Sequence, residues 1–190
     1  MKSIGIFSGS FNPVHIGHLA LANWLCEYVD LAEIWFLVTP QNPLKDKAGL
    51  LDYDLRYNMV KEAIAGYPRF KVSDFECTLP LPSYTIDTLR ALQKTCPEHL
   101  FHLIIGADSW GTINRWKDAQ ALKQEFPILI YPRKNHETNE PLPPNIRKID
   151  APIIDISSSF IRDAIKEGKD VRFFLPEAVR NKEKNITFAV

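Results

Sequence analysis

An α/β fold built on a doubly wound parallel sheet is what the sequence predicts, and three observations predict it. Short strand-like apolar runs alternate with helix-like stretches along the chain, the pattern of parallel strands joined by helical crossovers. The first run, residues 4–7, passes directly into a Gly/Asn/Pro turn and then a Leu/Ala-rich stretch. In sheets of this kind the first strand-to-helix handover is where nucleotides bind. Polar, basic and Gly-flanked residues interrupt the apolar pattern where carboxyl-end loops are expected. Together these define a Rossmann-like arrangement with one cleft at the carboxyl ends of its strands.

Taken in order, the apolar runs at residues 4–7, 34–38, 70–72, 100–105, 128–131 and 153–156 are expected as strands. Helices are expected at residues 17–28, 53–65, 85–94, 116–124 and 158–167, with a short one at 176–181. Asp52 stands before the second helix as an N-cap, and Ser157 or Ser158 before the fifth. Residues 39–49 (TPQNPLKDKAG) and the Pro- and Asn-rich residues 132–147 read as loops. No repeat or long linker divides the chain, so residues 1–190 are expected to form one domain.

Composition narrows the function classes. Acidic and basic residues balance to zero net charge and are mixed along the sequence, which argues against a protein that coats nucleic acid. The cysteines, Cys26, Cys77 and Cys96, have no CxxC or metal-finger spacing, and are expected to be reduced and mostly buried. No run approaches the ~20 apolar residues of a membrane span, and the opening lacks a signal-peptide pattern. The expectation is a cytoplasmic protein without membrane or nucleic-acid partners.

The chemistry is concentrated in two segments. In the first, Gly9-Ser10-Phe11-Asn12-Pro13-Val14-His15-Ile16-Gly17-His18, the histidines stand at i and i+3 and project from one face of a first helical turn. Helix-start amides beside such side chains form an anion site. No HExxH, Cys/His cluster or Asp-rich loop supplies further metal ligands, so phosphate contact is the better use of this pair. In the second, Ile156-Ser157-Ser158-Ser159-Phe160-Ile161-Arg162, serines open a helix and an arginine follows one turn later. Alone that is an ordinary capped helix. Beside the histidine turn it is a second anion cradle, and two cradles suit a nucleoside triphosphate. GxxxxGK[ST], GxGxxG and GxSxG are all missing. Direct transfer at phosphorus, which depends on positioning and charge stabilisation, fits a site of donors without a nucleophile.

The tetrapeptide His15-Ile16-Gly17-His18 and the segment Ile156 to Arg162 resemble the (H/T)xGH and ISSTxxR signatures of the nucleotidyltransferase superfamily. Residues 82–89 (PSYTIDTL), residues 105–110 (IGADSW) and Trp116 resemble, within it, bacterial nicotinate-nucleotide adenylyltransferases. The resemblance runs from the first strand to the last helix and implies a single nucleotidyltransferase-type domain. It implies that His18 contacts the α-phosphate of ATP, that His15 assists on the triphosphate, and that Gly9, Ser10 and Phe11 add backbone contacts. Gly106 and Asp108 would hold the adenosine ribose, and Ile156, Ser157, Ser158 and Arg162 the β- and γ-phosphate end. His18, His15 and Arg162 form the implied catalytic set. Lys45, Ser83, Tyr84, Thr85, Trp116 and Arg133 would bind nicotinate mononucleotide, Trp116 by stacking on its ring. Mg²⁺ would be bound mainly through the ATP phosphates.

Three departures from the pattern are mild: Ser159 for the usual threonine, Ser10 for a second glycine, and Phe11-Asn12-Pro13 for FDP. Trp110 is expected to pack rather than touch ligand, and His99, His102 and His136 to be structural or solvent-exposed. The implied rivals are a superfamily member acting on phosphopantetheine or nicotinamide mononucleotide, and a nucleotide sensor without catalysis. PSYTIDTL and Trp116 argue against phosphopantetheine. The HIGH tetrapeptide also occurs in class I aminoacyl-tRNA synthetases, but this chain is too short for one and has no KMSKS-like segment. Homo-oligomerisation is left open.

Overall fold

The apolar runs become six strands: β1 (Lys2–Gly9), β2 (Glu33–Val38), β3 (Phe70–Ser73), β4 (His99–Gly106), β5 (Ile128–Tyr131) and β6 (Ile146–Lys148). These belong to a computed structural model that describes residues 1–40, 49–136, 141–180 and 182. All neighbouring strands pair in parallel, in the order β3-β2-β1-β4-β5-β6. The helices are α1 (Ile16–Tyr28), α2 (Tyr53–Ile64), α3 (Thr85–Thr95), α4 (Ala107–Trp110), α5 (Ala119–Glu125), α6 (Ser158–Lys166) and α7 (Glu177–Arg180). Short 3₁₀ turns occupy Phe75–Thr78, Ile113–Arg115 and Arg172–Phe174.

Period-two alternation sends each strand into both faces. Ile4 and Ile6 of β1, Leu37 of β2 and Phe101 and Leu103 of β4 pack with Ile86, Leu89 and Leu92 of α3 and Leu122 of α5. Phe7, Ile34, Phe36, Val38 and Ile104 face the other way, onto Leu21 and Leu25 of α1, Met59 and Val60 of α2, and Ile161 and Val179 near the carboxyl end. Helices therefore cover both faces, and the direction of winding reverses between β1 and β4. That reversal opens a crevice at the carboxyl ends of these two central strands.

The expected elements are corrected at two places and extended at others. Residues 153–156 are not a strand; the sixth strand is β6, which starts at the end of the segment expected as a loop and runs one residue past it. Ile153 is exposed while Ile156 packs against the core, so this apolar run leads into α6 without joining the sheet. The short, polar β6 suits an edge position better. The helix expected at 116–124 starts only at Ala119, because Trp116 is extended (φ −79°, ψ 154°) and ends the preceding 3₁₀ turn. β1 and β4 begin earlier than their apolar runs, and α4 fills a stretch expected as loop. Among the cysteines only Cys26 is buried; Cys77 is exposed and Cys96 half-buried, and all three are free. Trp110 is buried in the core, as expected of packing.

Candidate active site

The turn after β1 is held from behind. Phe11 adopts a positive φ of 45°, which turns the chain sharply between the strand and α1. Arg56 Nη1 donates to the Ser10 carbonyl at 2.8 Å, Arg162 Nη1 to the Asn12 carbonyl at 2.8 Å, and Ser158 Oγ to the Pro13 carbonyl at 2.9 Å. The Asn12 amide is used twice. Its nitrogen donates to Gly49 O at 2.8 Å and its oxygen accepts from Leu51 N at 3.1 Å. An aspartate could make only the second of these bonds, so the departure at residue 12 supplies a clamp on residues 49–51.

α1 begins at this turn with His15 as N-cap. The His15 and His18 rings stack with centroids 3.6 Å apart and planes at 28°. The His15 backbone N–H donates to His18 Nδ1 at 3.2 Å. Because Nδ1 accepts, the proton of neutral His18 belongs on Nε2, a donor in a residue that lines the cleft. His15 is 4% exposed; burial, and next the nearby Arg133 guanidinium, lower its pKa to about 3. It is a neutral imidazole at physiological pH. Gly17 leaves the rings room: a Cβ would stand 3.0 Å from His15 Nδ1 and 3.3 Å from Ile154 Cγ2, so these side chains would have to shift by a few tenths of an ångström.

α6 arrives beside this turn with its first serine as cap, Ser157 Oγ accepting from Phe160 N at 3.1 Å. Arg162 Nη2 reaches Ser159 Oγ at 3.2 Å. At the end of β4, a Cβ on Gly106 would collide with Asp108 Oδ1, so glycine lets that carboxylate lie back over the strand end. Arg133 Nε lies 3.7 Å from Asp108 Oδ1, and its guanidinium stands 5.2 Å from the Tyr131 ring centroid. Both Asp108 Oδ1 and Arg133 Nε are buried without a hydrogen-bond partner among the described residues. Across the cleft, α3 starts at Tyr84–Thr85 with no side-chain cap. Lys117 bridges to this helix, 2.9 Å from Asp87 Oδ2 and 4.9 Å from the Tyr84 ring centroid.

One cleft of about 620 Å³ gathers these groups. Gly9, Ser10, Phe11, His15, His18, Gly106, Asp108, Ser157, Ser158 and Arg162 line it, together with Ser83, Tyr84, Thr85, Trp116 and Arg133. Ile156 is not part of the wall; its side chain packs against the core. Lys45 lies outside the described residues. Two residues that sequence reasoning passed over complete the surroundings. Arg56 is 1% exposed and donates to four backbone carbonyls, those of Leu51, Ser10, Thr39 and Pro40. It was detectable in principle, since it shares the buried face of α2 with Met59, Val60 and Ile64. Glu76, also in the wall, carries no local sequence signal.

The cytidylyltransferase-like family profile matches residues 6–164, which takes in the second half of β1, the other five strands and every residue that lines the cleft. Relatives with the name "Probable nicotinate-nucleotide adenylyltransferase" include one from Bacteroides fragilis, 55% identical over 92% of this chain and 88% of its own. Another, from Azobacteroides pseudotrichonymphae, is 49% identical over 97% of this chain and 98% of its own. The chain therefore belongs to the nicotinate-nucleotide adenylyltransferase family. The fold matches the Plasmodium falciparum nicotinic acid mononucleotide adenylyltransferase solved with NaAD, at a TM-score of 0.85 and 20% identity over 100% of this chain and 98% of that one. A nicotinate-nucleotide adenylyltransferase structure from Vibrio parahaemolyticus, described as putative, gives 0.74 at 22% identity, covering 97% and 99%. Among the described residues no helix is long and apolar enough to cross a membrane.

Proposed function

We propose that this chain transfers the adenylyl group of ATP to nicotinate mononucleotide, giving nicotinate adenine dinucleotide and pyrophosphate. The observation that carries the reading is the position of His18, an Nε2–H donor fixed by the backbone between the β1 turn and the Ser158/Arg162 cradle. The acceptor phosphate attacks the α-phosphorus in line. One P–O bond forms to the acceptor oxygen, and the bond to the α,β-bridging oxygen breaks, with its electron pair leaving on pyrophosphate. No covalent enzyme intermediate is needed.

His18 Nε2–H is directed at charge growing on the α-phosphate oxygens, the type of contact that lowers a barrier most. Neutral His15 stacks against it and keeps its ring in place. Arg162 and the first turn of α6 receive the leaving phosphates, and Asp108 accepts from the ribose hydroxyls. Trp116 offers a face for the pyridine ring, and the uncapped amides of α3 favour a ring carboxylate over an amide. Among the described residues no three His, Cys, Asp or Glu side chains converge. Such a donor set suits Mg²⁺ carried by the triphosphate with its own waters. When bound, the cation neutralises charge on the phosphates that leave.

Pyrophosphate release from ATP is the test, with nicotinate mononucleotide, nicotinamide mononucleotide or phosphopantetheine as acceptor. Preference for the first supports the reading. Preference for another acceptor keeps the chemistry and overturns the roles given to Thr85 and Trp116. Binding of ATP without pyrophosphate release with any acceptor makes the chain a sensor.

A further inference from the structure

Glu76 sits in the 3₁₀ turn Phe75–Thr78, 4% exposed, and yet it is part of the cleft wall. Its carboxyl is surrounded by hydroxyls. Ser8 Oγ donates to Oε1 at 3.4 Å and Ser83 Oγ to Oε2 at 3.4 Å; behind them Thr39 Oγ1 lies 3.2 Å from Ser8 Oγ, and Thr88 Oγ1 donates to the Tyr84 carbonyl at 3.2 Å. These groups come from the carboxyl end of β1, from the residue after β2, and from both sides of the start of α3. Among the described residues Glu76 forms no ion pair with a lysine, arginine or histidine. Burial pushes its carboxyl above the ordinary range, with the four hydroxyls pulling the other way.

Hydroxyls can accept as well as donate, so this cage serves a carboxylic acid as well as a carboxylate. The titratable and charged groups on the surrounding elements are Asp74 and Cys77 on its own turn, and Asp87 of α3, which is bound to Lys117. Arg115 lies across the cleft, His18 on α1 and Asp108 on α4. The acceptor end of the cleft, Tyr84 and Thr85, follows immediately on Ser83. A ring carboxylate held at the α3 amides therefore stands near Glu76, and two carboxylates in one partly dry site disfavour each other. A ring amide meets no such opposition.

We propose that Glu76 is a specificity-determining residue: uncharged, it admits an acceptor with a ring carboxylate, and ionised, it turns the same wall against that acceptor while leaving a ring amide unaffected. The inference rests on the acceptor reading given above.

The test compares kcat/KM for nicotinate and nicotinamide mononucleotide from about pH 5.5 to about pH 9, in the wild type and in Glu76→Gln. Taking the ratio of the two acceptors cancels the ionisations they share, those of the acceptor phosphate, ATP and His18. The wild-type ratio is expected to fall about tenfold with rising pH as like charge develops. In Glu76→Gln, which keeps the shape and cannot ionise, the ratio should stay flat near its low-pH value. A flat wild-type ratio, or an unchanged pH dependence in the variant, overturns the proposal. Should the variant fail to fold, a carbon-13 carboxyl titration of the wild type decides: Glu76 must ionise where the ratio breaks, and a mismatch overturns it. An enzyme that uses only nicotinamide mononucleotide, or neither acceptor, overturns the functional reading itself, and the inference with it.

Discussion

Which nitrogen of a histidine carries the proton decides whether it can stabilise an oxyanion, and in this site the backbone makes that choice for His18. Replacement of His18 by alanine should lower kcat by ~10²–10³ while KM for both substrates changes little, as for loss of an oxyanion donor; steady-state kinetics checks it. Trp116→Ala should instead raise KM for the pyridine nucleotide by about tenfold, the worth of one ring stack, with KM for ATP unchanged. His15 gives a pH prediction of definite sign. Its pKa falls from 6.5 to about 3 on folding, chiefly through burial. Between those values the unfolded chain binds the proton and the folded chain does not, so stability is lost as pH falls through that window. Urea midpoints at about pH 4 and about pH 7 should therefore differ more for the wild type than for His15→Gln. The histidines were legible because their i, i+3 spacing at a helix start is a local pattern. Glu76 was not, because its hydroxyl partners lie 7 to 68 residues away and only the folded sheet assembles them.

Among the elements, α2 contributes more to the cleft than its distance in sequence suggests. Arg56 spans the turn after β1, residues 39–40 after β2, and Leu51 before its own helix. Removing it leaves four carbonyls short of a donor, two of them buried and two part-buried, so Arg56→Ala should cost about 3–5 kcal/mol in chemical denaturation. Arg56→Lys, with donors on a single atom, should recover only part of that loss. At α6 the cap is simpler, and Ser157→Ala should cost about 1 kcal/mol. The expected cap at Asp52 accepts from Asp54 N and Leu55 N, and of the two serines that could cap α6 it is Ser157 that does. What misled was residues 153–156. An apolar run signals burial of some side chains without saying whether a neighbouring strand is available, and β5 already pairs with β6.

At the scale of the whole molecule, alternation of strands and helices was enough to give the class of fold, because the central strands bury residues on both faces and need a helix on each. The order of strands was not legible, since it depends on which face each crossover takes. That order is nonetheless what makes the site, by separating α1 and α3 at the reversal between β1 and β4. Ligands that bind there should hold the two layers together. Saturating ATP with Mg²⁺ at about a hundred times its Kd should therefore stabilise the chain by about 2.7 kcal/mol, read as a rise in the melting temperature.

The fastening of the β1 turn also bears on what turnover requires. The carbonyls of Ser10, Asn12 and Pro13 are each taken by a side chain rooted elsewhere. Arg162 has five N–H donors and gives one to Asn12 O and one to Ser159 Oγ. Among the described residues the other three take no partner, and on the proposed reading they can meet phosphate oxygens without release of the turn. On that reading, the strut that fastens the turn is thus the same side chain that grips the leaving phosphates. Loading and unloading would then change its grip and leave the scaffold standing, so pyrophosphate departure is expected to need no rebuilding step between cycles.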